Sequence, residues 1–426
     1  MTSGSLAGIL KVPGDKSVTH RALIFSSFAY GRVEINNASS AADCNNTAQC
    51  LSRLGLSIDG KDGGYVVNCC GIESLVESDE ILDCGNSGTT MRLLAGILAG
   101  RPIRSTLDGD RSLRSRTMKR IIEPLSQMGA RFETSNGDFA PFSLTGGSLS
   151  GTKFDLQIAS AQVETCVLLA GLQADGVTQV RVPQVVRDHT RRMFAHIGVP
   201  FESPDKHNIS VRRLEKPLAP FAIEVPADLS SAAFFLVAAS LIEGSDIVLT
   251  AVGVNPGRTL VLSVLEEMGV SLERSNQRFF AAEPVVDLRV RHMGRLQGTR
   301  VGADRVSAGI DELPILALCG SLCQGQFEVS GALELRHKES DRIKALCDNL
   351  KAAGVEVVEH DDGFSINGAK SVPGGSLWRT HGDHRLAMTG RIASLVFDQP
   401  VELDYPDCIE VSYPEFSRDL SKLLSF

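Results

Sequence analysis

Asn86-Ser87-Gly88-Thr89-Thr90-Met91-Arg92-Leu93-Leu94-Ala95-Gly96-Ile97-Leu98-Ala99 opens on a polar cluster and runs into a segment that is apolar on nearly every face. A helix without a polar face is a buried helix. Its Ala and Gly predict close approach of helix to helix. The same paragraph returns six times, at intervals of roughly 70 residues, and a repeat of that kind sets the architecture before any propensity is summed. The other openings are Lys16-Ser17-Val18-Thr19-His20-Arg21, Ser160-Ala161-Gln162, Asp228-Leu229-Ser230-Ser231, Asp311-Glu312-Leu313-Pro314 and Asp383-His384-Arg385. Ser, Asn, Asp or Gly at a helix start leaves unpaired N–H groups and the positive end of the macrodipole. Several such ends together make an anion site.

Each repeat carries a second, amphipathic helix closed by an apolar residue and Gly: Leu54-Gly55, Met128-Gly129, Ile197-Gly198, Met268-Gly269 and Ala353-Gly354. Gly31, Gly100, Gly176, Gly244 and Gly325 stand where glycines that end the first helices belong. Alternating runs such as Phe142–Thr145, Phe154–Ile158 and Val355–Val358 read as strands. The unit is β-α-β-α-β-β. Buried helices predict an α/β protein with helices inside and sheets outside, the inverse of the usual α/β barrel. Three units make a domain of ordinary size, so two domains are expected, with a break near Val225-Pro226-Ala227.

Composition narrows the function. The chain has 426 residues, 51 acidic and 43 basic, for a net charge of −8. That balance disfavours nucleic acid as the main ligand, though a local basic cleft remains possible. Ten cysteines are scattered with no Cys-x-x-Cys and no zinc spacing, so no metal is expected and reduced thiols are. No signal peptide is visible at the start, and no apolar stretch reaches the ~20 residues of a membrane span. A cytoplasmic globular protein is expected.

The repeats share a scaffold and differ in polar decoration. Lys16, Arg21, Arg92, Arg116, Arg187, Lys338, Arg342 and Arg385 fall at or near helix starts, where cations oppose the macrodipole. Anions offset them, and Arg grips phosphate or carboxylate in bidentate fashion. Lys338-Glu339-Ser340-Asp341-Arg342 reads as a helix start with Lys338 and Arg342 on one face. Taken singly, each feature has a plainer reading. Asp311 and Asp383 could be N-caps, Arg187-Asp188-His189 a surface turn, His384 a core histidine and Arg92 a structural contact.

Together these residues resemble a known family. Pro13-Gly-Asp-Lys-Ser-Val-Thr-His-Arg-Ala-Leu23, Gly85-Asn-Ser-Gly-Thr-Thr-Met-Arg92, Ser160-Ala-Gln162, Arg336-His-Lys-Glu-Ser-Asp-Arg342 and Asp383-His-Arg385 look like the signatures of the enolpyruvylshikimate-phosphate synthase family, in order and over essentially the whole chain. The resemblance implies two domains of three βαβαββ units, an inverted α/β barrel. Residues 1–12 would join 227–426 as domain I, and 13–226 would form domain II. It implies transfer of the enolpyruvyl group of phosphoenolpyruvate to the 5-hydroxyl of shikimate 3-phosphate, with release of phosphate. Lys16, Ser17, Arg21, Ser160, Ala161, Gln162, Arg187, Asp311 and Lys338 would hold shikimate 3-phosphate. Lys16, Gly88, Arg116, Gln162, Arg342 and Arg385 would hold phosphoenolpyruvate.

The reaction needs a proton for the methylene carbon, a base for the hydroxyl and a later acceptor for a methyl proton. Two carboxylates in differing environments suit that work. Asp311 is assigned to the 5-hydroxyl and Glu339 to the methylene. Lys16 is a second acid–base group and electrostatic clamp. No cofactor is implied, and a monomer is expected.

The chain departs from the family in two places. Glu410-Val411-Ser412-Tyr413-Pro414 has Val411 where many members have Lys, and Leu93 replaces a Pro that some carry. The nearest alternative is the sister enzyme acting on UDP-N-acetylglucosamine, which usually has a Cys in the loop matching Gly109–Arg116; this stretch has none. A six-repeat clamp for DNA would spread its cations evenly, whereas these are unit-specific and accompanied by carboxylates.

Overall fold

The computed structural model describes residues 4–61, 63–134 and 137–425, so residues 1–3 of the expected 1–12 segment lie outside it. The chain divides into two units. Unit 1 comprises Met1–Pro13, Pro226–Phe279 and Pro284–Phe426; unit 2 comprises Gly14–Val225 and Phe280–Glu283.

In unit 2 the helices are α1 (Lys16–Ser26), α2 (Ala42–Arg53), α3 (Gly88–Leu98), the short α4 (Arg111–Arg114), α5 (Lys119–Met128), α6 (Ala161–Gly171) and α7 (His189–Ile197). The apolar runs α1, α3 and α6 are buried along almost their whole length. A Cβ on Gly96 of α3 would lie 2.4 Å from the Cys166 carbonyl oxygen of α6, so glycine is what lets these two helices meet. The amphipathic α5 buries Ile121, Ile122, Leu125 and Met128 on one side.

Three four-stranded sheets accompany these helices. Their strands, in spatial order, are Leu82–Asp83, Arg104–Asp108, Phe142–Thr145 and Arg131–Thr134 in one, and Lys153–Asp155, Val177–Arg181, Asn208–Arg212 and Phe201–Glu202 in another. Both are βαβαββ units: the first two strands run parallel across a buried helix, and the rest are antiparallel. The repeat holding α1 lacks its own leading strand. Ala222–Glu224, which follows the third repeat, supplies it by pairing parallel to Tyr30–Asn36 with Ile223 opposite Ile35.

Unit 1 has a five-stranded, a four-stranded and a two-stranded sheet, with the helices α8 (Leu229–Leu241), α9 (Leu260–Glu267), α10 (Ala303–Val306), α11 (Leu313–Leu322), α12 (Arg342–Ala352), α13 (His384–Val396) and α14 (Phe416–Leu423). The strand Ser5–Leu10 lies between Asp246–Gly253, to which it is parallel, and Leu424–Ser425, to which it is antiparallel. Among the described residues no helix is long and apolar enough to cross a membrane.

Side chains cap most of the buried helices. Asp15, Ser87, Ser160, Asp228 and Asp383 each accept a backbone N–H of the first turn, an interaction typically contributing ~1 kcal/mol. Asp311 is not a cap: it sits in a 3-10 turn, Ile310–Glu312, ahead of α11, which has no side-chain cap. The glycines ending the second helices, Gly55, Gly129, Gly198, Gly269 and Gly354, all have φ between +79° and +121°, the region open to glycine. Gly31 does not end α1; it lies inside the strand Tyr30–Asn36.

Lys338 does not share a helical face with Arg342. A 3-10 turn ends at His337, Lys338 is extended, and α12 begins at Arg342 with Asp341 as its cap. The cause is Arg336, which bonds Asp341, Glu359 and the His360 carbonyl and holds the intervening residues out of a helix.

Candidate active site

In unit 2 the first turn of α1 presents Lys16 and Ser17, both half-buried, and Arg21 follows one turn on. Lys16 Nζ lies 2.7 Å from Asp43 Oδ2 of α2. Arg21 is 2% exposed. Its Nε donates to Thr190 Oγ1 of α7 at 2.9 Å, its Nη2 to Thr165 Oγ1 of α6 at 3.0 Å and its Nη1 to the Ser17 carbonyl at 3.1 Å. All three acceptors are neutral, and no carboxylate among the described residues forms an ion pair with it. Burial therefore pulls its pKa down to about 10, against the partial support of the more distant Asp15, Glu164 and Glu283. A buried cation without a counter-ion is costly, and an anion bound beside it would offset that cost. Arg187, half-buried in the loop before α7, adds like charge nearby.

Ser160 caps α6, placing Ala161 and Gln162 in its first turn. Arg92 Nη1 donates to Gln162 Oε1 at 2.6 Å, and Gln162 Nε2 donates to Thr89 Oγ1 at 2.9 Å. Arg92 thus orients Gln162, one of the expected site residues. A Cβ on Gly88 would stand 2.7 Å from Arg92 Nη1, the movable end of that side chain. Arg116 lies between α4 and α5 and donates to Asn86 Oδ1 and Ser112 Oγ, both at 3.0 Å. Asn86 in turn donates to Asp110 Oδ2 at 2.7 Å. His189 is no surface residue; it is buried, with Nδ1 2.7 Å from Glu283 Oε1.

Unit 1 gathers charge of both signs. Arg342 is 1% exposed. Its Nε lies 2.7 Å from Asp383 Oδ2, its Nη2 2.6 Å from Glu339 Oε2 and its Nη1 3.3 Å from Asp311 Oδ1. Lys338 Nζ is 3.2 Å from the same Asp311 oxygen. Burial works against the Arg342 cation, but Asp383, Glu339 and Asp311 outweigh it and hold it charged. Burial likewise pushes the Asp383 carboxyl up, and Arg342 outweighs that, leaving it below the usual carboxylate range. Arg385, one residue into α13, has Nη1 3.7 Å from Glu312, a buried carboxylate that accepts the Ser230 hydroxyl. His384 is buried beside Asp383.

The two units therefore differ in character. Unit 2 brings Lys16, Ser17, Arg21, Gly88, Arg116, Ser160, Ala161, Gln162 and Arg187 onto helix starts and loops with cations in excess. Unit 1 sets Asp311 and Glu339 against Lys338 and Arg342, an arrangement suited to moving protons within a fixed field. Among the described residues no group of His, Cys, Asp or Glu is arranged to hold a metal ion.

A family model described as EPSP synthase (3-phosphoshikimate 1-carboxyvinyltransferase) matches residues 1–420. The chain belongs to this family. It is 41% identical over 420 residues to the 3-phosphoshikimate 1-carboxyvinyltransferase of Bacillus licheniformis, covering 98% of this chain and 97% of that one. An EPSP synthase structure from Acinetobacter baumannii superposes with a TM-score of 0.89 at 38% identity, over 99% of this chain and 97% of that one. The enolpyruvyl transferase NikO from Streptomyces tendae shares the fold at a TM-score of 0.78 and 17% identity, over 99% and 95% of the two chains.

Several residues of this family member that contact the expected site residues carry no signal of their own in the sequence. Asp43, Thr165 and Thr190 reach Lys16 and Arg21 only through tertiary packing. Asn86 does carry one, standing beside Ser87 in the polar cluster ahead of α3. Val411, which replaces the Lys of many members, is half-buried at the end of a 3-10 turn, Pro406–Val411.

Proposed function

We propose that this protein is a 3-phosphoshikimate 1-carboxyvinyltransferase, a cytoplasmic monomer that joins phosphoenolpyruvate to shikimate 3-phosphate. The observation that carries the reading is Arg21, a buried guanidinium held, among the described residues, only by neutral oxygens. An anionic group bonded to it recovers the energy that burial withholds. Arg21 and Ser17 take the phosphate of shikimate 3-phosphate, with Lys16, Ser160, Ala161, Gln162 and Arg187 around the rest of the molecule. Asp311 and Lys338 are assigned to the same substrate. Lys16, Gly88, Arg116, Gln162, Arg342 and Arg385 are assigned to phosphoenolpyruvate.

Asp311 accepts the proton of the 5-hydroxyl as its oxygen attacks carbon 2 of phosphoenolpyruvate. A proton from Glu339 adds to the methylene, making it methyl and leaving a tetrahedral intermediate. Phosphate then departs with the C–O bond electrons. A methyl proton returns to base, and the enol ether remains. The Arg342 contact keeps Glu339 in place, and the Lys338 contact does the same for Asp311. Fixed charge of this kind stabilises a transition state without reorganisation. No cofactor enters these steps.

The test is phosphate release from phosphoenolpyruvate with either shikimate 3-phosphate or UDP-N-acetylglucosamine as acceptor. Release with shikimate 3-phosphate alone is expected. Release with the sugar nucleotide alone overturns the assignment.

A further inference from the structure

Four buried side chains form a line that ends at the N-terminus of α3 and plays no part in the steps above. His20 Nδ1 is 2.7 Å from Thr47 Oγ1, Thr47 Oγ1 is 2.7 Å from Thr90 Oγ1, and Thr90 Oγ1 is 2.7 Å from Ser87 Oγ. They come from α1, α2, α3 and the cap of α3, and all are at most 2% exposed. Thr47 and Thr90 also approach the Asp43 carbonyl, at the longer distances of 3.3 and 3.4 Å.

A hydroxyl has one proton to give. Thr90 spends its proton on Ser87 Oγ, so Thr47 donates to Thr90 and the ring Nδ1–H donates to Thr47. What is left over is a bare ring nitrogen, Nε2, buried and without a partner among the described residues, and an under-used acceptor is commoner than an orphaned buried N–H. Ser87 Oγ then accepts both the Thr90 hydroxyl and the Thr90 N–H, the latter at 3.1 Å. Burial keeps the ring neutral, with a pKa of about 3; Lys16 and Arg21 act the same way and Asp43 and Asp15 oppose them.

That direction leaves one unspent donor among the described residues of the line, the Ser87 hydroxyl proton, next to Gly88. We infer that Ser87 is a further binding residue for the anion held at Gly88, and that His20, Thr47 and Thr90 are positioning residues that aim its proton there. The inference rests on the reading of Gly88 as a phosphoenolpyruvate contact.

The test uses the full chain and steady-state phosphate release with both substrates. Ser87→Ala and Thr90→Val are each expected to raise KM for phosphoenolpyruvate at least about tenfold, the effect of one hydrogen bond to a charged group. KM for shikimate 3-phosphate should stay within about twofold. The double variant should be no worse than Ser87→Ala alone, because Thr90 acts through Ser87. Thr90→Ser, which keeps the hydroxyl, should restore KM. Multiplying effects, a parallel rise in both KM values or an unchanged KM in Ser87→Ala overturns the relay while leaving the functional reading intact. Wild-type protein that neither turns over nor binds phosphoenolpyruvate in calorimetry overturns that reading instead.

Discussion

Replacing Arg21 with Met separates a binding cation from a structural one. The guanidinium is fully buried and titrates near 10 rather than the ordinary value of about 12.5. At ~1.4 kcal/mol per pH unit, keeping it charged at neutral pH costs the free protein about 3 kcal/mol. The sign follows from proton counts: between these two values the unfolded chain binds more protons, so the cost is present at neutral pH and fades only above pH ~10. Met removes the charge and keeps much of the length. Thr165 and Thr190 stay 2.6 Å apart, and Thr165 still donates to the Ala161 carbonyl at 2.6 Å, so neither hydroxyl is stranded. Arg21→Met is therefore expected to leave the unliganded protein as stable as wild type or more so. Affinity for shikimate 3-phosphate should fall by about 3 kcal/mol, or ~150-fold. Calorimetric titration and denaturant melting of the same preparations give both quantities. A loss of more than ~2 kcal/mol in stability with near-normal affinity would refute the reasoning.

Glu339→Gln preserves an acceptor for Arg342 but not a titratable group, so kcat should drop by ~100-fold or more with substrate affinities little changed; near-normal turnover removes Glu339 from the chemistry. Asp311→Asn should act on kcat in the same way, and a selective loss of shikimate 3-phosphate binding would recast Asp311 as a contact. Gly88→Ala forces the Arg92 guanidinium aside and should raise KM for phosphoenolpyruvate about tenfold while shikimate 3-phosphate binding holds, an effect of ~1.4 kcal/mol. Asp383→Asn strands part of the buried Arg342 charge and should cost about 3 kcal/mol at neutral pH. The Asp383 carboxyl is held low, so its contribution is complete above its unfolded value near 4 and disappears as pH falls through the folded value. The stability gap between wild type and Asp383→Asn should shrink in acid, and a gap that widens there contradicts the assignment.

The features legible in the sequence were those that depend on neighbours one or two turns away. The apolar run of α3, the caps Ser87 and Ser160, and the closing glycines of the second helices all belong to that class. Lys338 shows where local pattern fails: Lys-Glu-Ser-Asp-Arg has helical spacing, but Arg336 anchors to Asp341 and to the strand at Glu359 and breaks it. Asp311 escaped its reading as a cap because Lys338 and Arg342 compete for its carboxylate. Asp43 could not be read at all, since its bond to Lys16 spans 27 residues and leaves no periodic trace. The leading strand of the first repeat in unit 2 leaves no local trace either, since Ala222–Glu224, at the far end of that unit, supplies it.

The strand Ser5–Leu10 has a consequence for synthesis on the ribosome. Its parallel partner begins at Asp246, so Leu6 and Leu10, both buried in the finished sheet, leave the exit tunnel long before anything exists to cover them. At ~5–20 residues per second, the intervening chain takes about 12 to 50 seconds to appear. Nearly all of unit 2, Gly14–Val225, is translated within that wait and can collapse on its own core. The strand is thus seated only after unit 2 has emerged, an apolar segment that the nascent chain carries unpaired through most of unit 2's birth.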